Sequence, residues 1–107
     1  MSWAKTEYID RIELLHTGEL FLGIRGPGHA GYQHVYREAA GVYWDADKAG
    51  FKSTELKNWT PSEWYAHMVE IVRSGLGVEL VIAEKVDWKR LTESDMRAIL
   101  AESNERR

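Results

Sequence analysis

The clearest alternation of apolar and polar positions lies in residues 58–77, NWTPSEWYAHMVEIVRSGLG. Trp64, Tyr65, Met68, Val69, Ile71 and Val72 recur at helical spacing and cover one broad face. Ser62, Glu63, Ala66, His67, Glu70 and Arg73 cover the other. The start of this helix is strongly marked: Thr60 is the N-cap, Pro61 takes the first helical position, and Glu63 completes a capping box. Trp59 and Trp64 have the spacing of a hydrophobic staple. Gly75 or Gly77 supplies the stop.

The next run, VELVIAEKV at 78–86, is β-branched and apolar at its middle, which predicts a central strand buried on both faces. LTESDMRAILAES, 91–103, repeats the helix-start logic, with Thr92 capping, Asp95 reaching back and Leu91 stapled to Met96. Its stripe of Met96, Ile99 and Leu100 is narrow, so this helix belongs on the surface. The tail NERR, 104–107, is expected to fray.

Before residue 58 the pattern is that of strands. ELFLGIR (19–25), QHVYRE (33–38), GVYWDA (41–46) and FKST (51–54) are rich in β-branched and aromatic residues. AAG, 39–41, turns the second of these into the third. DKAG, 47–50, reads as a hairpin turn with Gly50 in the left-handed conformation. EYIDRIELLHTG, 7–18, admits two readings. As a helix ended by Gly18 it places Tyr8, Ile9, Ile12 and Leu15 on one face. As a hairpin through Thr17-Gly18 it sets Asp10 opposite Arg25 and His16 opposite Glu19. The helix is preferred, because strict alternation mixes charged and apolar side chains on one strand face. The order α-β-β-β-β-α-β-α follows. It describes a single α+β domain over residues 1–107, with a mostly antiparallel sheet of about five strands and two or three helices.

Composition supports one folded domain: 107 residues, 44% hydrophobic and 29% charged, with two prolines. There is no cysteine, which excludes a disulfide scaffold, a thiolate nucleophile and cysteine-ligated zinc. The first residues, MSWAKTEYIDR, carry no signal-peptide pattern, and no stretch is apolar enough to span a bilayer. A cytoplasmic protein is expected. A net charge of −3 argues against nucleic acid, whose binding needs Lys48, Lys52, Lys57 and Arg37 on one face.

Candidate chemistry centres on RGPGHAGYQH, 25–34. Glycines allow close backbone approach to a ligand, and His29 and His34 are able to move protons. The glycine spacing matches neither a P-loop nor a dinucleotide fingerprint. The four histidines, 16, 29, 34 and 67, lack metal-ligand spacing, and His67 lies near Glu63 and Glu70 on the polar helix face. Asp45 and Asp47 in WDAD read as turn aspartates bonding their own backbone. No metal site and no cofactor is expected.

Five Trp and five Tyr make aromatic content the most unusual feature. Trp59, Trp64 and Tyr65 have folding roles, and Trp44 sits in a strand. Trp3, Trp88, Tyr32, Tyr36 and Tyr43 remain as surface candidates. Alternation along YQHVYRE places Tyr32, His34 and Tyr36 on one strand side.

These readings describe a small binding or interaction protein acting through protein–protein contact, with a partner it restrains or with a copy of itself. The expected surface is Gly26, Gly28, His29, Gly31, Tyr32, His34 and Tyr36. The alternative is a small-molecule binder or small enzyme in which His29 or His34 is general acid or base, oriented by Glu38 or Asp45.

Overall fold

The computed structural model describes residues 5–36, 40–55 and 58–105. Trp3, Arg37, Glu38, Ala39 and Lys57, on which some of the expectations above rest, lie outside these residues.

The helix expected within residues 7–18 is a strand. β1 spans Lys5–Leu14 and pairs antiparallel with β2, Glu19–Ile24. The reason is a β-bulge. Ile9 faces Ile24 and Arg11 faces Gly23, so Asp10 is one residue too many on β1. The bulge reverses the alternation, and Ile9 and Ile12 both point into the core, fully buried. A spacing of three between two core isoleucines imitates a helix. The same shift changes the hairpin register. The Arg25 N–H bonds the Tyr8 carbonyl at 2.8 Å, and the Leu15 N–H bonds that of Glu19 at 2.8 Å.

Three more strands complete a five-stranded sheet: β3 (Val42–Asp45), β4 (Gly50–Glu55) and β5 (Val78–Lys89). The order is β3-β4-β2-β1-β5, antiparallel throughout except for the β1–β5 pair. A second irregularity falls in β4, where Glu19 and Phe21 face Glu55 and Lys52. The buried Ser53 hydroxyl accepts the Leu20 N–H at 2.9 Å there, replacing a lost ladder bond.

β5 is an end strand, not the central one expected. Gly77 ends the preceding helix and sets Val78 beside Lys5, on the far side of β1 from the hairpins. Val78, Leu80 and Ile82 are buried, whereas Glu79 and Val81 are half-buried and Glu84, Lys85, Asp87 and Lys89 are exposed.

Of the segment expected as strand QHVYRE, residues 33–35 instead end a 3₁₀ helix, Ala30–Val35, which buries Tyr32 and Val35 three residues apart. In the DKAG turn the left-handed residue is Ala49, with φ of 54°, and not Gly50. Glycine is required at 50 for another reason. A Cβ there would lie 2.5 Å from the Phe21 ring and 2.7 Å from the Leu22 carbonyl.

Helices α1 (Pro61–Leu76) and α2 (Glu93–Glu105) and the 3₁₀ turn cover one face of the sheet. Asn104 and Glu105, expected in a frayed tail, belong to the last turn of α2. The expected face of α1 holds: Tyr65, Met68, Val69 and Val72 are buried, and Trp64 and Ile71 pack against the core. Neither helix is long and apolar enough to cross a membrane. The α+β class, the mostly antiparallel five-stranded sheet and the α-β-α ending stand as expected.

The capping box of α1 is complete. The Glu63 N–H donates to Thr60 Oγ1 at 3.3 Å, and the Thr60 N–H donates to Glu63 Oε1 at 2.7 Å. Thr60→Ala is expected to cost about 1 kcal/mol. The check is a lower denaturant midpoint with an unchanged m-value.

Candidate functional site

Between β2 and the 3₁₀ turn the chain passes close over Trp44. A Cβ on Gly28 would lie 2.4 Å from that indole, and Gly28 has φ of +77°, so glycine is needed there twice over. His29 caps the turn: its Nδ1 accepts the Gly31 N–H at 2.9 Å, and its carbonyl accepts the Tyr32 N–H at 3.0 Å. Neutral His29 therefore carries its proton on Nε2.

Tyr32 turns inward. Its ring meets Trp44 edge-on at 5.1 Å and Phe51 at 5.7 Å. Its hydroxyl donates to Glu7 Oε2 at 2.5 Å, and both residues are buried. Burial first, then the Glu7 hydrogen bond and charge, push the phenol well above its ordinary 10.0.

The expected set thus divides. Tyr32 lies in the core, and His29, though exposed, is committed to the cap. Gly26, Gly28 and Gly31 shape the loop, while His34 and Tyr36 are exposed. The 3₁₀ geometry separates Tyr32 from His34 and Tyr36, which a strand would have aligned. Tyr36, 49% exposed, stacks on Tyr43 at 5.0 Å between ring centres. Trp88, the other aromatic weighed as a surface residue, packs against the core.

A second aromatic cluster stands at the start of α1. Trp59 and Trp64 are 4.8 Å apart, and His67 meets them edge-on at 5.1 and 5.4 Å. His67 Nε2 donates to the Ala40 carbonyl at 2.9 Å, so this histidine is turned onto the loop. The staple predicted from sequence is present and gains a third ring.

The face of the sheet opposite the helices is open and charged. Phe21 is nevertheless only 3% exposed. The Arg11 guanidinium lies 5.7 Å from its ring centre and the Lys48 ammonium 5.9 Å. Arg11 also donates to the carbonyls of Ile24 (2.8 Å), Lys48 (3.0 Å) and Ala49 (3.2 Å), tying the β3–β4 turn to β2. Gly23 makes room, since a Cβ there would lie 2.7 Å from the guanidinium. A hollow of about 430 Å³ opens here, lined by cations (Arg11, Lys48, Lys89) and anions (Glu13, Asp47, Asp87) in equal number. Sequence reasoning missed this face, because the bulge that presents Arg11 has no local signature.

Asp45, weighed as a histidine-orienting carboxylate, is engaged elsewhere. It accepts the Lys48 N–H at 3.1 Å and pairs with the Lys52 ammonium at 3.4 Å. Burial pushes its carboxyl up, but the hydrogen bonds from the Lys48 backbone and Lys52, with the Lys52 charge, outweigh it and hold the group below the usual value. The turn aspartate expected in WDAD is present. Among the described residues no cluster of three or more His, Asp or Glu side chains is arranged to hold a metal ion.

No protein-family model matches the chain, and no curated protein matches it. Among solved structures it is similar to an integron cassette protein, Hfx_Cass5, from the mobile metagenome of the North West Arm sewage outfall. The identity is 22%, covering 95% of this chain and 99% of that one, with a TM-score of 0.41.

Because the Tyr32 phenol is raised, its contribution to stability is complete below pH about 10 and is lost as pH rises through the folded value. Wild-type stability is expected to fall in that alkaline range. Tyr32→Phe should be destabilised at neutral pH by roughly 1–3 kcal/mol, because Glu7 loses its buried partner, and should lack the tyrosine-linked part of the alkaline loss. Denaturant titrations at stepped pH check both.

Proposed function

We propose that the chain is a protein-interaction module whose contact surface is an aromatic rim of His34, Tyr36, Tyr43 and Trp59. The loop of Gly26, Gly28, His29 and Gly31, anchored from beneath by Tyr32, frames it. The observation that carries this reading is the exposed tyrosine stack. Tyr36 is half exposed although it is large, and it is already ordered against Tyr43. Rigid, amphipathic aromatics of this kind concentrate binding energy at interfaces at little entropic cost. Trp59, 43% exposed on Trp64, adds a second anchor.

The hollows on the open sheet face and toward its β3 edge are lined by residues other than 26–36, whereas a small-molecule or catalytic site built on His29 and His34 would need a pocket beside them. The Lys48 and Lys52 side chains, weighed as a nucleic-acid patch, stand among carboxylates, and Lys52 is paired with Asp45. That arrangement gives little phosphate attraction.

The test places a photo-crosslinking amino acid at Tyr36 and, separately, at the exposed Ser94 of α2 in the native cell. A discrete protein adduct from position 36 alone is expected. Equal background from both positions would remove the proposal. With the captured partner, Tyr36→Ala should weaken binding by about tenfold or more and leave the unfolding midpoint unchanged.

A further inference from the structure

We infer that the chain pairs with a second copy of itself through the free edge of β5, antiparallel over Val78–Ile82 and centred on Leu80. This surface lies at the opposite end of the sheet from the aromatic rim.

β5 hydrogen-bonds to β1 on one side, and no described strand lies on its other side. An unpaired edge of 12 residues presents main-chain donors and acceptors that invite another strand. Edge strands are normally blunted by bulges and exposed charges. In β5 these devices stand almost wholly in the second half. Against β1 the register passes from Ile9 facing Ile82 to Arg11 facing Asp87, so residues 83–86 bulge out of the ladder. Glu84, Lys85, Asp87 and Lys89 are all exposed. The first half, Val78–Ile82, is in regular register and carries one charge, Glu79.

The apolar surface beside that undefended half points the same way. On the open sheet face Val81 is paired with Tyr8, which is 45% exposed and one of four large hydrophobics left that open among the described residues. The patch is continuous with the edge.

A second copy fits this edge by its own sequence. A two-fold axis at Leu80 sets Val78 against Ile82 and Leu80 against itself on the helix-covered side. On the open side Glu79 meets Val81 of the second copy, so the two Glu79 carboxylates are not set directly opposite each other. The two Glu79 and the two Val81 side chains are each diagonal neighbours across the axis, and the Val81 pair extends the Tyr8–Val81 patch. Parallel self-pairing would stack Glu79 on Glu79. Centring the pair nearer the C-terminal end would drive the bulge into the interface. The antiparallel register about Leu80 avoids both.

Sedimentation velocity from low to high micromolar concentration tests the proposal. Wild type is expected to show a reversible monomer–dimer equilibrium. Val81→Glu sets a carboxylate opposite Glu79 of the other copy, twice by symmetry, and is expected to weaken dimerisation by about tenfold or more. Val81→Lys sets an ammonium at the same place and should retain the dimer. The double variant Val81→Glu/Glu79→Lys should restore it. Val81 is half-buried on the open face, so circular dichroism should confirm that every variant folds. A wild type that stays monomeric at the highest concentration overturns the inference. Equal loss in Val81→Glu and Val81→Lys overturns this register. Tyr36→Ala should leave the dimer untouched, which keeps this test separate from that of the aromatic rim.

Discussion

One extra residue in β1 organises this protein. Without the bulge at Asp10, the side of β1 that carries Ile9 would continue with Arg11 and Glu13. With it, Ile9 and Ile12 share the core side, and Arg11 is delivered to the opposite face. There its guanidinium gathers three carbonyls from β2 and the β3–β4 turn and lies over Phe21. The glycines at 23 and 50 are the complement of that arrangement, since each leaves space that the Arg11–Phe21 stack fills. A single local irregularity thereby couples the core, the sheet and the far hairpin. The loss of alternation in β1 is offset by tertiary contacts.

The other layer is held by a different device. The loop after β2 has few apolar residues to bury, so it is fastened by one phenol. Tyr32 passes beneath the loop, packs on Trp44 and Phe51, and ends on Glu7 of β1. A carboxylate under a loop is costly unless it is paired, and the tyrosine hydroxyl supplies the partner. Fixing the loop in this way leaves Tyr36 at its end, ordered against Tyr43 but open to solvent.

The sequence was most informative where local rules and tertiary packing agree. The Thr60–Pro61–Glu63 start, the Trp59–Trp64 staple and the buried face of α1 were all legible, because each depends on neighbours within a turn. The Thr92–Asp95 start of α2 was legible for the same reason. The failures are long-range. β1 was misread because its bulge gives two core isoleucines helical spacing. β5 was misread because an apolar run does not say whether a strand will lie at the centre or the edge. The segment around His34 was misread because its aromatics fit the spacing of a strand, whereas the turn is held by contacts distant in sequence, among them that of Tyr32 with Glu7, 25 residues away. Of the candidate surface, Tyr36 and His34 were legible as chemistry, but their separation from Tyr32 was not.

The parallel pairing of β1 with β5 bears on how the chain is made. β1 is made before the other strands; β2 can join it through a hairpin closed by a short turn, and the β3–β4 hairpin then adds to β2 across residues 25–41. The other edge of β1 has to wait for residues 78–89, which come after α1. During synthesis β1 is therefore an open edge, with Ile9 and Ile12 uncovered. Non-local pairings of this kind form late and leave the nascent chain open to misassociation. The last strand to arrive closes the core, and it does so beside the first residues of the sheet.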